Sequence, residues 1–280
     1  MNTRPSDGAG TSYEAPAGKE NSGPPGFLSG SRVLVTGAAS GIGFAVAASC
    51  LSEGAEVILL DQNGPGLEHA IEALGPADRA RALSVQADVS DAGEVSAAVA
   101  EVAGSSGRLG AVVAAAGIGG YSGDIGETTI EAWNKTLAVN LSGIFHVCRA
   151  ALPLLRANGG GRIVTVSSQY GLVGGTGSPA YDAAKAGVIG LTRAMAVDHA
   201  ADGILVNCVC PGPIDTPMFR GSKGRTDQSR REASRTAGRV LLGGPGRPED
   251  VAGVIAFLLG PHAAFMTGAV ISCDGGWTAA

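Results

Sequence analysis

A chain of 280 residues, 45% hydrophobic and 16% charged, can bury one substantial core, and no linker interrupts it past residue 30, so a single domain is expected. A formal net charge of -5, with Arg220, Lys223, Arg225, Arg230 and Arg231 scattered through one polar segment, argues against a nucleic-acid partner. Every apolar stretch approaching about 18 residues is broken by glycine or polar groups, which argues against a membrane span.

The opening 30 residues hold no continuous apolar run and are broken by proline and glycine. Such a segment cannot offset the entropy of ordering, so residues 1–26 read as a flexible tail and 27–280 as the folded unit. The tail also lacks the apolar centre of about 7–15 residues that a secretory signal needs. Cys50, Cys148, Cys208, Cys210 and Cys273 read as buried thiols of a reducing cytoplasm. Cys208 and Cys210, two apart in an apolar run, are expected to face opposite sides of a strand. The four histidines have no metal-ligand spacing, so no metal is expected.

In chain order, short apolar runs predict strands at Arg32–Thr36, Glu56–Leu60, Ala82–Gln86, Ala111–Ala115, Arg162–Val166, Ile204–Cys208 and Val270–Ser272. Between them, amphipathic runs predict helices at Ile42–Ser52, Leu67–Leu74, Ala92–Ala103, Ile130–Arg156, Ala180–Ala200 and Pro248–Leu259. Gly143 and Pro153 interrupt the fourth of these. Asp91 with Glu94 predicts a capping box, Ser178 a cap before Pro179, and Pro248-Glu249-Asp250 a helix start that favours anions. Strand and helix alternating in this way give right-handed crossovers and a doubly wound parallel sheet covered on both faces. Residues 217–246 break the rhythm: either a substrate-covering lid with short helices or a disordered surface insertion fits them.

The first strand runs into Val35-Thr36-Gly37-Ala38-Ala39-Ser40-Gly41-Ile42-Gly43 and then an apolar helix. Gly37 can turn sharply, Gly41 can let the chain approach a pyrophosphate, and Gly43 can permit close helix packing, with the helix N-terminus facing the anion. Asp61 ends the second strand 18 residues after Gly43, the spacing of a carboxylate that accepts from both adenosine-ribose hydroxyls and repels a 2′-phosphate. That favours NAD, with an NADP-dependent carbonyl reductase as the alternative.

The GxxxGxG spacing over Thr36–Gly43, with Ser168, Tyr181 and Lys185 downstream, resembles the short-chain dehydrogenase/reductase family, and the resemblance covers nearly all the chain after Phe27. It implies one Rossmann-like domain and a nicotinamide-dependent oxidoreductase acting on CH–OH groups. By that resemblance Ser40 and Ile42 line the cofactor path, and Asp88 and Val89 hold the adenine. Asp88 as a turn cap is equally open. Ala114-Ala115-Ala116-Gly117 stands where the family has NNAG, so Ala116 and Gly117 keep the small size needed beside the cofactor while two asparagines are lost. Ile214 and Thr216, after the turn Pro211-Gly212-Pro213, fall near the nicotinamide. Asn140 is the family's fourth catalytic position, either serving a water relay from Lys185 or capping a helix irregularity.

Tyr181 and Lys185, four apart, share one helix face. A cation about 4 Å from a phenol is worth roughly 4 kcal/mol at an effective dielectric of 20, about three pKa units, so Lys185 is expected to lower Tyr181 from its usual value near 10. Tyr181 then moves the alcohol proton, Ser168 orients the substrate oxygen, and Lys185 holds the nicotinamide ribose. Ser167 should point elsewhere, and His146 reads as structural. Gly119, Gly120, Tyr121, Gln169, Tyr170, Gly174, Gly175, Met218 and Phe219 are candidates for the substrate wall. A secondary alcohol or its ketone is the expected substrate, a homotetramer the expected assembly with a homodimer second, and a nucleotide-responsive binding protein the non-enzymatic alternative.

Overall fold

The computed structural model describes residues 26–106, 108–120, 123–221 and 238–279. The expected tail up to residue 25, Tyr121 and residues 222–237 of the expected lid lie outside the described residues. Seven strands form one parallel sheet in the order β3-β2-β1-β4-β5-β6-β7. They are β1 (Arg32–Thr36), β2 (Glu56–Asp61), β3 (Ala82–Gln86), β4 (Ala111–Ala114), β5 (Gly161–Val166), β6 (Ile204–Pro211) and β7 (Val270–Cys273). β1 lies between β2 and β4, in register Thr36 with Leu60 and Thr36 with Ala114. The chain therefore winds outward in opposite directions from β1 and β4, and a crevice opens at their carboxyl ends.

Alternate side chains leave the sheet on opposite faces, which makes near-continuous apolar strands two-sided. Val33, Val35, Val57 and Leu59 pack on one face against α1 (Gly41–Ser52) and α9 (Pro248–Leu259). Leu34, Ile58 and Leu60 pack on the other with α4 (Ala92–Ser106), α6 (Gly143–Ala157) and α7 (Pro179–His199). Each such fully buried aliphatic chain contributes about 1.5–3 kcal/mol. The smaller helices are α2 (Gly64–Ala73), α3 (Pro76–Arg79), α5 (Ile130–Leu137) and α8 (Pro217–Arg220).

Several local expectations change. Residues two apart on a strand share a face, so Cys208 and Cys210 do not diverge: their sulfurs lie side by side, 4.0 Å apart, in the core. Asp91 Oδ1 accepts from the N–H groups of Gly93 and Glu94 at 2.7 and 3.0 Å, but the Glu94 carboxylate reaches Asp88 N–H instead of closing a capping box. Ser178 stands at the N-cap of α7, yet its hydroxyl donates to Asp182 rather than capping the backbone. The interruption in the 130–157 run falls at neither Gly143 nor Pro153. It is a π-helical turn, Ala138–Ser142, joining α5 to α6. Ile130–Ala157 also reaches the length and mean hydropathy, 1.4, of a membrane-spanning helix by length and composition alone, with Gly143 and polar residues within it. In the fold its Ile144, Val147, Cys148, Ala151 and Leu155 pack into the core beneath the sheet.

Glycine is required where backbones approach. A Cβ on Gly43 would overlap the Gly37 carbonyl, whereas one on the exposed Gly190 of α7 would meet nothing within 4 Å. Gly43→Ala is therefore expected to cost at least about 1–3 kcal/mol through forced backbone displacement. Gly190→Ala should add about 0.4–1 kcal/mol by restricting the unfolded chain and raising helix propensity. Urea unfolding of both variants checks the contrast; equal changes would contradict it.

Candidate active site

At the carboxyl ends of the central strands two cavities adjoin, sharing Gly117 and Ile118 in their walls. The smaller, about 60 Å³, is lined by Gly37, Asp61, Asp88, Val89 and Ala116 among others. The larger, about 240 Å³, takes in Ile42, Ser168, Gln169, Tyr170, Tyr181, Lys185, Ile214, Thr216, Met218 and Phe219. Most of the residues singled out in the sequence thus meet along one trough, although they span residues 37–219.

The glycine turn builds the floor between the cavities. Thr36 Oγ1 accepts from the N–H groups of both Ala115 and Ala116 at 3.1 Å, drawing β1 and β4 together at their ends. Gly37, at φ +69°, passes so close that a Cβ would lie 2.9 Å from Ala116 Cα. Gly41, at φ +56°, faces Thr216, where a Cβ would come within 3.2 Å of Cγ2. Ser40 occupies the N-cap of α1 without a side-chain capping bond, so the first-turn N–H groups keep no side-chain acceptor. Such a terminus suits an anionic group.

Asp61 closes the small cavity from β2. Its Oδ2 accepts from Ala39 N–H at 3.1 Å and its Oδ1 from Asn63 N–H at 3.0 Å, which fixes the carboxylate at the strand end. Asp88 Oδ1 takes both the N–H and the hydroxyl of Ser90, at 2.9 and 2.8 Å, so it caps a turn while also lining the cavity. Val89 is wedged against Gly143, where a Cβ would lie 2.7 Å from Val89 Cγ2; His146 Nδ1 is 3.0 Å from the Val89 carbonyl, a packing position. These donors and close backbones, with the Asp61 carboxylate at the strand end and Asp88 beside it, fit a dinucleotide held between Asp61 and Lys185.

The reacting side is assembled by β5, α7 and the π-helical turn. Past Val166, Ser167 Oγ donates to Lys185 O at 2.7 Å, although Ser167 also lines the larger cavity, and Ser168 Oγ accepts from Tyr170 N–H at 3.2 Å. Tyr181 and Lys185 stand on one face of α7, with Lys185 Nζ 5.6 Å from the Tyr181 ring centroid and donating to Val166 O at 2.9 Å. Asn140, fully buried in the π-helical turn, accepts from Ile118 N–H at 2.8 Å and donates to Ile118 O at 3.1 Å. Its side chain is thus committed to the loop leaving β4. A Cβ on Gly117 would lie 3.0 Å from Asn140 Oδ1 and 3.6 Å from Lys185 Nζ, so glycine leaves the lysine accessible there.

The expected depression of Tyr181 by Lys185 does not appear in the protein alone. Burial pushes the phenol up to about 12, because a phenolate here would lose its hydration. A hydrogen bond with Ser168 pulls the other way, and the charges of Asp182 and Tyr170 add to the rise. Burial lowers Lys185 to about 8, opposed by the Cys208 and Cys210 thiols. At neutral pH Tyr181 is therefore a neutral phenol beside a lysine that titrates unusually low.

The far wall is mixed. Thr216 Oγ1 accepts from Phe219 N–H at 3.2 Å and so caps α8, which carries Met218 and Phe219. Gly120 leaves no space for a Cβ against the Tyr181 ring, and a Cβ on Gly175 would lie 2.9 Å from the Tyr170 ring, while Gly174 has open space. Gln169 is 98% buried, and its Oε1 has no hydrogen-bond partner. Ile118, Thr176 and Ser178 also line the cavity and were not singled out from sequence; nothing in the local pattern around Ile118 marks it. Thr36 carried a signal, a hydroxyl at the strand end immediately before the first glycine.

A lysine at about 8 when folded and 10.5 when unfolded binds fewer protons in the folded state between those values. Stability therefore rises with pH across that window, by about 3 kcal/mol at 1.36 kcal/mol per unit. Wild-type protein should gain on Lys185→Met by that margin between pH 7.5 and 10.5 in denaturant titrations; parallel profiles would contradict the assignment.

With this geometry in place, the sequence comparisons converge. A family model described as Enoyl-(Acyl carrier protein) reductase matches residues 37–278. The chain is 41% identical over 246 residues to the cis-4-hydroxycyclohexanecarboxylate dehydrogenase of Sinomonas cyclohexanicum, covering 88% of this chain and 96% of that protein. It is 38% identical over 248 residues to the meso-2,3-butanediol dehydrogenase of Serratia marcescens, covering 88% and 94%. The crystal structure of levodione reductase superposes with a TM-score of 0.83 at 33% identity, over 90% of this chain and 99% of that one. The chain belongs to the short-chain dehydrogenase/reductase family. It is an NAD(P)-dependent oxidoreductase of alcohol and ketone groups, built on a single Rossmann-like domain.

Proposed function

We propose that this enzyme is NAD-dependent and interconverts a secondary alcohol and its ketone, with Tyr181 as the proton-transferring group. The observation that carries the reading is the meeting of Ser168, Tyr181 and Lys185 in one cavity that adjoins the Asp61 cavity. Bound along the trough, the nicotinamide nucleotide supplies the hydride acceptor or donor. Tyr181, neutral in the protein alone, protonates the alkoxide formed in ketone reduction and is left as the phenolate; in oxidation the phenolate receives the carbinol proton and returns to the phenol. Ser168 orients the substrate oxygen. Lys185 holds the ribose hydroxyls and supplies positive charge to the Tyr181 side.

Asp61 supports NAD over NADP: its fixed carboxylate repels a 2′-phosphate, and among the described residues no arginine or lysine pairs with it. The substrate wall combines apolar Ile118, Met218 and Phe219 with the neutral, unsatisfied amide of Gln169. That supports a carbinol flanked by carbon and bearing a second polar group, a description both named dehydrogenase substrates meet. Exposed apolar side chains such as Val197 and Leu242 support self-association, as a homotetramer with a homodimer second, and the buried thiols suit a cytoplasmic protein.

Tyr181→Phe keeps most of the ring volume and removes the transferable proton. It is expected to lower kcat by a factor of about 10²–10⁴, or roughly 3–5 kcal/mol, with NAD affinity retained. Turnover of 2,3-butanediol and 4-hydroxycyclohexanecarboxylate, beside direct NAD titration, reads both quantities; near-native turnover by a folded variant would sink the assignment. Asp61→Ala should weaken NAD and strengthen NADP, so the affinity ratio falls by on the order of tenfold or more, a loss of at least about 1.4 kcal/mol in preference. An unchanged ratio in binding titrations would refute the role.

A further inference from the structure

The C-terminal residues form a strut rather than a loose end. Asp274 accepts from Gly276 N–H at 3.0 Å, from Thr278 N–H at 2.9 Å and from the Thr278 hydroxyl at 2.5 Å, winding residues 274–278 into a closed turn. Gly275 and Gly276, both at positive φ, let that turn press on residues 240–242: a Cβ would lie 2.5 Å from Val240 and 2.8 Å from Leu241. Leu242 N–H donates to Gly275 O at 3.3 Å. On the turn sits Trp277, 97% buried. One side of its ring carries the guanidinium of Arg239, 4.0 Å from the centroid. The Tyr170 ring meets it edge-on at 5.7 Å and 83°. Tyr170 in turn lines the large cavity and is backed by Gly175.

An edge-to-face aromatic pair and a cation over an indole are both directional, so the three side chains fix one another's positions. Tyr170 also bonds Ser168 Oγ through its backbone N–H and bears on the Tyr181 phenol, so what the stack can set is the position of the Tyr170 ring beside the acid–base pair. We infer that Trp277 is a positioning residue for substrate specificity: clamped by Arg239, it holds the Tyr170 ring in the pocket wall and so sets the shape that the substrate's carbon chain meets. The inference rests on the reading that this cavity takes the alcohol. It has no bearing on the nucleotide end, because the stack lies away from Gly37 and Asp61.

The test uses the full chain with NAD and 2,3-butanediol or 2-butanol as probes. Trp277→Ala should raise KM by on the order of tenfold while kcat and the NAD dissociation constant change by less than about threefold. Trp277→Phe, which keeps an aromatic edge against Tyr170, should recover most of the loss. If Trp277 acts through Tyr170, adding Trp277→Ala to Tyr170→Ala should cost little more than Tyr170→Ala alone. Additive losses, an unchanged KM, or equal weakening of NAD would overturn the proposal. A turnover-independent reading comes from a Trp133→Phe background, in which Trp277 is the sole tryptophan. There, the surface change Arg239→Gln, which cannot empty the core, should shift Trp277 emission; an unmoved spectrum would overturn the stack. If neither alcohol were turned over yet the emission shifted, the proposed substrate class would fail and the stack would stand.

Discussion

Thr36 and Gly37 leave β1 so close to the end of β4 that one hydroxyl takes two consecutive backbone N–H groups and no Cβ fits beside Ala116. The trough depends on this contact. It puts the N-terminus of α1 at the bend, keeps Gly117 open between the cavities, and lets Asp61 on one side and Lys185 on the other face a single channel. Packing at the two sheet faces fixes the strands, but the approach of these two strand ends decides what can lie across them. Backbone polar groups made to bond within the floor leave the uncapped helix terminus as the free donor set.

The reacting end shows a second consequence of burial. Taking Tyr181 out of water favours the phenol, and taking Lys185 out of water favours the amine, so the fold alone drives the two values apart: tyrosine up, lysine down. A proton donor is thereby ready for ketone reduction without any further shift. On the proposed reading, alcohol oxidation would draw on further positive charge near the phenol, and an oxidised nicotinamide held beside the wall that the two cavities share at Gly117 and Ile118 would supply it.

Much of this was legible in the residues because parallel strands buried on both faces read as short apolar runs, and the seven predicted strands match within a few residues at each end. Glycines at Gly37, Gly41 and Gly43 were legible for the same reason: backbone approach leaves no alternative residue. What was not legible depended on distant partners. The π-helical turn at Ala138–Ser142 forms where Asn140 reaches back to Ile118, a contact across the fold that local periodicity does not encode. Ser178 and Glu94 look like caps locally but are claimed by Asp182 and Asp88. Where alanines stand in place of the family's two asparagines, Thr36 and Asn140 supply the bonds that hold this stretch. The cysteine pair was misjudged on strand geometry, since residues two apart project together. Tyr181 was expected lower because a nearby cation was weighed and desolvation was not.

On the proposed mechanism, one trough holds a nicotinamide nucleotide and a carbinol so that hydride passes directly between them beside Tyr181. Incubation of the full chain with NAD and 2,3-butanediol deuterated at its carbinol carbons, followed by NMR of the reduced nucleotide, tests it most directly. The account predicts deuterium at the nicotinamide C4 position, on one face only, with one label per ketone formed. Reduced nucleotide free of deuterium, or ketone formed without reduction of the nucleotide, would contradict it.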